Sequence, residues 1–316
     1  MAETKVHKFM TRLEDQRPAS MERTSKLISI EEAGKILATK KRFGISGTHS
    51  SEAAMTLIRA AIRAGAKDIT LVPPTTCSIA ADLWIAAKRL KKLYLSYVGF
   101  EFLGFAPAFR KAAQEQSIDI VEADEPFIQL GTQAAAGGRP FNAVRRLYDG
   151  TIHPKVNPEL KKIIDPYTGE EVYLIPPLKT DVYIMHAQAS DIYGNAQSWG
   201  GNQQEPDKAK ASDMVIVEAD EIVGSDVIRQ DPSKSTIRGE WTDYVVHTPF
   251  GAHPTFSPGQ YAADEAHLRL YGEMCRDGRA EEYLEKFVFG PKDHFDYLER
   301  VGGLKKMVEL KRMLSL

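Results

Sequence analysis

The chain has 316 residues, with 41 Lys+Arg against 43 Asp+Glu for a net charge of -2, and 43% of it is apolar. That balance excludes the basic stripe of a nucleic-acid binder and an acidic solvating tail, while the length allows a substantial core. No uncharged apolar run approaches the about 18 residues of a membrane-spanning helix, and Cys77 and Cys275 stand far apart without CxxC spacing, which fits a reducing cytoplasm.

Residues 1–26 are charged throughout and carry no apolar stretch of a secretory signal; they read as a polar, mobile arm. Ser29 and Glu32 stand at capping-box spacing and open a short helix. Arg42 to Thr48 reads as a strand ending in small residues. Ser51 to Gly65 reads as a helix, because Ala54, Leu57, Ile58, Ala61 and Ile62 recur at helical spacing and Gly65 is a natural C-cap. Strands at Ile69–Val72, Leu93–Val98 and Ile118–Val121 then alternate with helices at Ile79–Lys88, Phe105–Gln116 and Phe127–Ala136. Such alternation predicts a parallel sheet with helices on both faces. Tyr148 to Glu171, rich in Pro, Gly, Asp and Lys, reads as an irregular surface excursion. Further strands are expected at Glu171–Ile175, Val182–Met185, Met214–Val217 and Tyr244–Val246. Two helical stretches, Asp264–Phe289 and one holding Leu304, Met307 and Val308, close the chain. The expectation is one α/β domain over 27–316 with a helical extension from about residue 260.

Four phrases carry candidate chemistry. Gly44, Ser46, Gly47, Thr48 and His49 form a small-residue turn between strand and helix, where backbone N–H groups suit an anion or a thioester oxygen. The turn lacks the GKS/GKT of a P-loop and is not GxGxxG, and an ordinary tight βα turn fits it equally. Glu122-Ala123-Asp124-Glu125 follows a strand end, where ligand crevices lie in α/β sheets; a general base and an acid-dressed helix N-terminus are both open there. The run from His186 through Gln188 to Trp199-Gly200-Gly201 carries an apolar strand into polar and small residues that allow close backbone approach. His247 and His253 have neither HExxH spacing nor a neighbouring acid or Cys, so structural roles are expected and no metal. No Gly-x-Ser-x-Gly elbow is present.

Together, His186-Ala187-Gln188, Gly194-Asn195, Trp199-Gly200-Gly201, Val227 to Pro232, Asp243 to Val246 and Pro249 to Pro254 resemble the α subunits of glutaconate-type CoA-transferases, in CoA-transferase family I. Ser96-Tyr97-Val98-Gly99 is similar to a phrase of the short-chain 3-oxoacid CoA-transferases. The resemblance covers roughly residues 40 to 300. It implies the open α/β sheet of the NagB/RpiA/CoA-transferase-like fold, a β subunit in an α2β2 assembly, and coenzyme A as substrate moiety rather than a bound cofactor. It places the nucleophilic glutamate in a Ser-Glu-Asn-Gly-like phrase of the β subunit, which this chain lacks. The turn departs from the family's Gly-Gly-Phe, having Ser46-Gly47-Thr48 instead. A second departure is Glu125, where the transferases carry Gln. There the pattern Glu122-x-Asp124-Glu125, Gln133 to Ala136, Pro140-Phe141 is similar to the α subunit of steroid ring-cleaving CoA-thioester hydrolases, in which this glutamate is catalytic. Three readings stand: the α subunit of a CoA-transferase, a ring-opening acyl-CoA hydrolase with Glu125 as base, and a non-catalytic subunit completing its partner's site. Phe100, Phe102, Phe105 and Trp199 would suit a bulky acyl group, though each equally suits a core.

Overall fold

The computed structural model describes residues 23–201 and 204–315. Among these residues the central sheet has nine strands, seven of them parallel: β1 (Arg42–Ile45), β2 (Ile69–Val72), β3 (Leu90–Leu95), β4 (Asp119–Glu122), β5 (Val182–Ser190), β6 (Val215–Ile222) and β7 (Tyr244–His247), with Ala196–Gln197 and Ser235–Ile237 added antiparallel beside the end of β5. The order of the seven is β7-β6-β5-β1-β2-β3-β4. The chain winds outward from β1 to β4, then returns to β5 on the other side of β1 and winds outward again. The winding direction therefore reverses between β1 and β5, and the loops leaving these two strands part there. In open α/β sheets such a switch point is where the ligand crevice forms.

One face of the sheet is covered by α1 (Ile30–Ala38), α2 (Met55–Arg63), α3 (Ile79–Ala86) and α4 (Pro107–Glu115), together with the C-terminal helices. The capping box of α1 is present, with Ser29 and Glu32 bonded reciprocally. On the other face α5 (Glu125–Ala136) packs with a three-stranded antiparallel unit around Phe127, Ile128, Tyr148 and Ile175. Tyr183, Met185, Val215 and Val217 form a third cluster beside it.

Several elements differ from the sequence expectation. The helix expected from Ser51 begins at Met55, because Glu52 N–H donates to Phe256 O at 2.8 Å and Ser46 Oγ donates to Glu52 O at 2.7 Å, holding residues 51–54 in a turn. The excursion after Tyr148 contains the strand Lys161–Ile164, paired antiparallel to Glu171–Ile175 about a turn in which Asp165 accepts from Tyr167 N–H and Thr168 Oγ1. β5 runs to Ser190 with all nine residues buried. The closing helices are broken into Glu265–Arg276 (α6), Ala280–Leu284, His294–Arg300 and Gly303–Arg312. Gly278, at φ +76°, lies in the first break just past the end of α6, and Asp293 caps the third helix by accepting from Asp296 N–H. These helices share one core with α2 to α4. Tyr271 on α6 donates to the buried Asp82 of α3 at 2.8 Å. Of the polar arm expected over 1–26, residues 1–22 lie outside the described residues; Lys26 N–H donates to Ile192 O. No helix among the described residues is long and apolar enough to cross a membrane.

Candidate active site

The turn leaving β1 sits at the switch point. Gly44 lies within the strand between β5 and β2, where a Cβ would press on Thr180 and Tyr183. Beyond it the backbone is strongly bent: Gly47 has φ +96°, His49 +49° and Glu52 +54°. A Cβ on Gly47 would collide with Ser51 O, so only glycine fits there. The N–H of Ser46 is spent on Ile184 O, that of Thr48 on Ser51 O and that of His49 on Thr76 O. Among the described residues the N–H groups of Gly47, which is buried, and of Ser50, which is partly exposed, have no acceptor. Side chains brace the turn: Thr48 and Thr76 hydroxyls meet at 2.7 Å, and Ser50 Oγ donates to Ser78 Oγ at 3.1 Å.

Behind the turn lies a buried polar network that the two strand periodicities create. Val182, Ile184, His186, Gln188 and Ser190 share one face of β5, and the register sets His186 beside Glu218 on β6, two residues before Asp220. His186 Nε2 lies 3.1 Å from Asp220 Oδ2 and 3.0 Å from Ser257 Oγ, and its Nδ1 lies 3.3 Å from Glu218 Oε1. Burial alone would depress the imidazole pKa, but Asp220 and then Glu218 outweigh it and hold the ring protonated, with a pKa raised to about 10. Burial pushes the Glu218 carboxyl upward, although His186 and the Leu57 N–H oppose this. Asp220 also accepts from Gly251 N–H and Ser257 Oγ. An imidazolium clamped between two buried carboxylates joins β5 to β6; it is not free to shuttle protons.

The network reaches the crevice through Glu52, a residue the sequence reading did not single out. The residue is 4% exposed, and its carboxylate accepts from Ser198 Oγ at 2.6 Å, Gly200 N–H at 3.2 Å and Gln188 Nε2 at 3.3 Å. Gln188 Oε1 in turn accepts from Trp199 N–H at 2.7 Å. A Cβ at Gly200 would overlap the Glu52 carboxylate, which explains the glycine. The structure thus joins Ser46, Gln188, Trp199 and Gly200 to the turn, with Gly201 exposed beside them. In the sequence Glu52 looks like an ordinary first-turn helix acid; its lining partners lie 136 to 148 residues away. Ser257, and the contacts of Glu218 and Asp220 with His186, were hidden for the same reason.

Glu125 is the first residue of α5, directly after Asp124, whose side chain caps the helix by accepting from Phe127 N–H at 3.0 Å. It is exposed, and Gln129 Nε2 donates to its carboxylate at 3.0 Å. It follows edge strand β4, three strands from β1, which is roughly 14 Å at ordinary strand spacing. Phe100 is buried in the core, whereas Phe105 and Trp199 are exposed; the side chain of Phe102 lies outside the described set. Cys77, beside the turn, is buried and its thiol is pushed up to about 12 by desolvation. Among the described residues no three His, Cys, Asp or Glu side chains converge as a metal-holding group.

The coenzyme A transferase family model matches residues 30–248. The chain is 31% identical over 246 residues to the A subunit of 3-oxoadipate CoA-transferase from Pseudomonas knackmussii, covering 76% of this chain and 86% of that protein. It is 27% identical over 294 residues to the cholesterol ring-cleaving hydrolase IpdA subunit of Rhodococcus jostii, covering 90% and 97%. The crystal structure of glutaconate coenzyme A-transferase from Acidaminococcus fermentans superposes with a TM-score of 0.84 at 27% identity, covering 91% of this chain and 96% of that one.

Proposed function

Because the chain belongs to the coenzyme A transferase family, as one subunit of an enzyme, we propose that it is the α subunit of a heteromeric enzyme moving CoA between an acyl-CoA thioester and a carboxylic acid. The nucleophilic glutamate belongs to a β subunit, in an α2β2 assembly. One observation carries this reading: the turn's own carboxylate, Glu52, is buried and committed to three donors, so it cannot attack a thioester. A carboxylate from the partner attacks the acyl-CoA carbonyl and expels CoA thiolate, giving a mixed anhydride; the thiolate then attacks the glutamyl carbonyl of that anhydride, releasing the acyl group as its carboxylate and leaving a glutamyl-CoA thioester until an acceptor acid takes the CoA. The Gly47 and Ser50 N–H groups receive the developing oxyanion. With no basic surplus in the chain, the CoA phosphates are held by a few local groups and by the partner. Both cysteines are free, which suits a cytoplasmic enzyme. Incubating the two-subunit complex with acyl-CoA alone should leave a CoA adduct on the β chain in intact-mass spectra. Adduct-free spectra of both chains would refute the reading.

A second reading has its own observation. Glu125 stands exposed at the carboxyl edge of the sheet, and the IpdA-type hydrolase relative aligns over 90% of the chain. There Glu125 is the general base that activates water for C–C cleavage of a ring 3-oxo to the thioester. Glu125→Gln should then cost at least about 100-fold in turnover with assembly intact. Unchanged turnover removes this reading and leaves the transferase.

A further inference from the structure

The loops leaving β1, β2 and β3 are knitted together above the sheet. His49 N–H donates to Thr76 O at 3.1 Å and Gly99 N–H to Cys77 O at 2.9 Å, while Ser78 Oγ donates to His49 O at 2.8 Å. This ladder brings two side chains from different strands into contact: His49 Nδ1 lies 2.8 Å from Glu101 Oε1. His49 has φ +49° and Glu101 φ +51°, so both partners occupy the left-handed region that side chains disfavour. Both are near half exposed, at 47% and 41%, where an ion pair returns little. The strain of two left-handed residues therefore exceeds what the contact gives back, and strain of this kind persists at working sites. The rings of His49 and Tyr97 meet edge-on at 6.4 Å.

His49 Nδ1 faces the Glu101 carboxylate, and the described residues offer Nε2 no partner. Gly47 and Ser50, whose N–H groups have no acceptor among the described residues, lie in the same turn. A histidine oriented by a carboxylate, beside an oxyanion-type pair of donors, is the arrangement of a general base. No activated nucleophile accompanies it: the buried Cys77 thiol is pushed up to about 12, and the Thr48 and Thr76 hydroxyls are bonded to each other.

We propose that His49, positioned by Glu101, is a general acid–base for hydrolysis of acyl-CoA thioesters by water, an activity distinct from CoA transfer and from any role of Glu125. It rests on the reading that CoA thioesters bind at this crevice. His49 Nε2 takes a proton from water as the water oxygen bonds to the thioester carbonyl carbon. The C–S bond then breaks, and the same Nε2–H protonates the departing CoA thiolate, giving the carboxylic acid and CoA-SH. Glu101 acts through His49 and is a positioning residue.

The test uses the co-purified two-subunit complex with glutaconyl-CoA and 3-oxoadipyl-CoA as probes. Thiol release without an acceptor acid is followed with a thiol-reactive dye, and CoA transfer to acetate by mass spectrometry. Wild-type complex should release thiol without acceptor. His49→Ala should release it at least about 100-fold more slowly, and free imidazole should restore at least about tenfold of that loss. Glu101→Gln should lower kcat about tenfold with KM unchanged. Undiminished thiol release in His49→Ala, or a loss that imidazole does not restore, overturns the proposal, as does a KM effect alone in Glu101→Gln. A wild-type complex that transfers CoA but releases no thiol overturns the dyad alone. One that neither transfers nor releases CoA overturns the underlying site reading as well.

Discussion

His186 offers a quantitative test of how the buried network holds β5 to β6. Its pKa stands at about 10 against an ordinary 6.5. At about 1.4 kcal/mol per pKa unit, that difference corresponds to about 5 kcal/mol of preference for the folded state. The upward displacement of Glu218 by burial takes part of this back, leaving roughly 3–5 kcal/mol, the size expected when one member of a buried ion pair is removed. Because the folded pKa lies above the unfolded one, the contribution is complete below pH 6.5. It declines as the pH rises and is gone above about pH 10. His186→Gln should therefore lower Tm by about 6–15 °C at pH 6, and the gap should shrink steadily toward pH 9.5. Scanning calorimetry of both proteins at pH 6, 8 and 9.5 measures it. A gap that is the same at pH 6 and 9.5, or absent at pH 6, refutes the charged-clamp account.

Gly200→Ala places a methyl in the space of the Glu52 carboxylate, so the turn after β1 must shift. Overpacking of this kind costs about 1–3 kcal/mol, and CoA transfer should fall at least about tenfold with an unchanged circular dichroism spectrum; wild-type transfer would show the Glu52 contacts to be dispensable. Tyr271→Phe removes the hydroxyl that stabilises the buried Asp82 carboxylate. Burial raises the Asp82 pKa to about 6, above the ordinary 3.8, despite bonds from Tyr271, Phe109 N–H and Ala108 N–H. The penalty on the charged form thus grows as pH rises between those values, and Tyr271→Phe should cost about 1.5–3 kcal/mol at pH 8 but much less near pH 4, read by urea unfolding.

The alternation of strands and helices was legible because β1 to β4 are short apolar runs bounded by Pro, Gly and polar residues, and the phrases around His186 and Trp199 marked one wall of the crevice. Much of what the sequence hid has a common cause. Helical spacing from Ala54 onward made Ser51 look like a helix start, but Thr255 and Phe256, two hundred residues on, capture that backbone instead. Glu52 and the pairing of His49 with Glu101 depend on which loops the strand order brings together, and no local pattern encodes that. The strand at Lys161–Ile164 was missed because all four of its residues are exposed, so it lacks the apolar alternation that betrays a half-buried strand. The break at Gly278 sits inside a stretch whose apolar residues keep helical spacing on either side.

The Tyr271–Asp82 bond joins residues 189 positions apart. On the ribosome, at about 5–20 residues per second, roughly 10–40 s separate the emergence of α3 from that of the helix that covers it. Throughout that interval the nascent chain carries an unfinished apolar flank around Phe100 and α3, since Phe100 packs on the ring of Tyr271 itself. The first half of this molecule therefore keeps an uncovered apolar flank through most of its own synthesis, and its last helices are the latch that closes it.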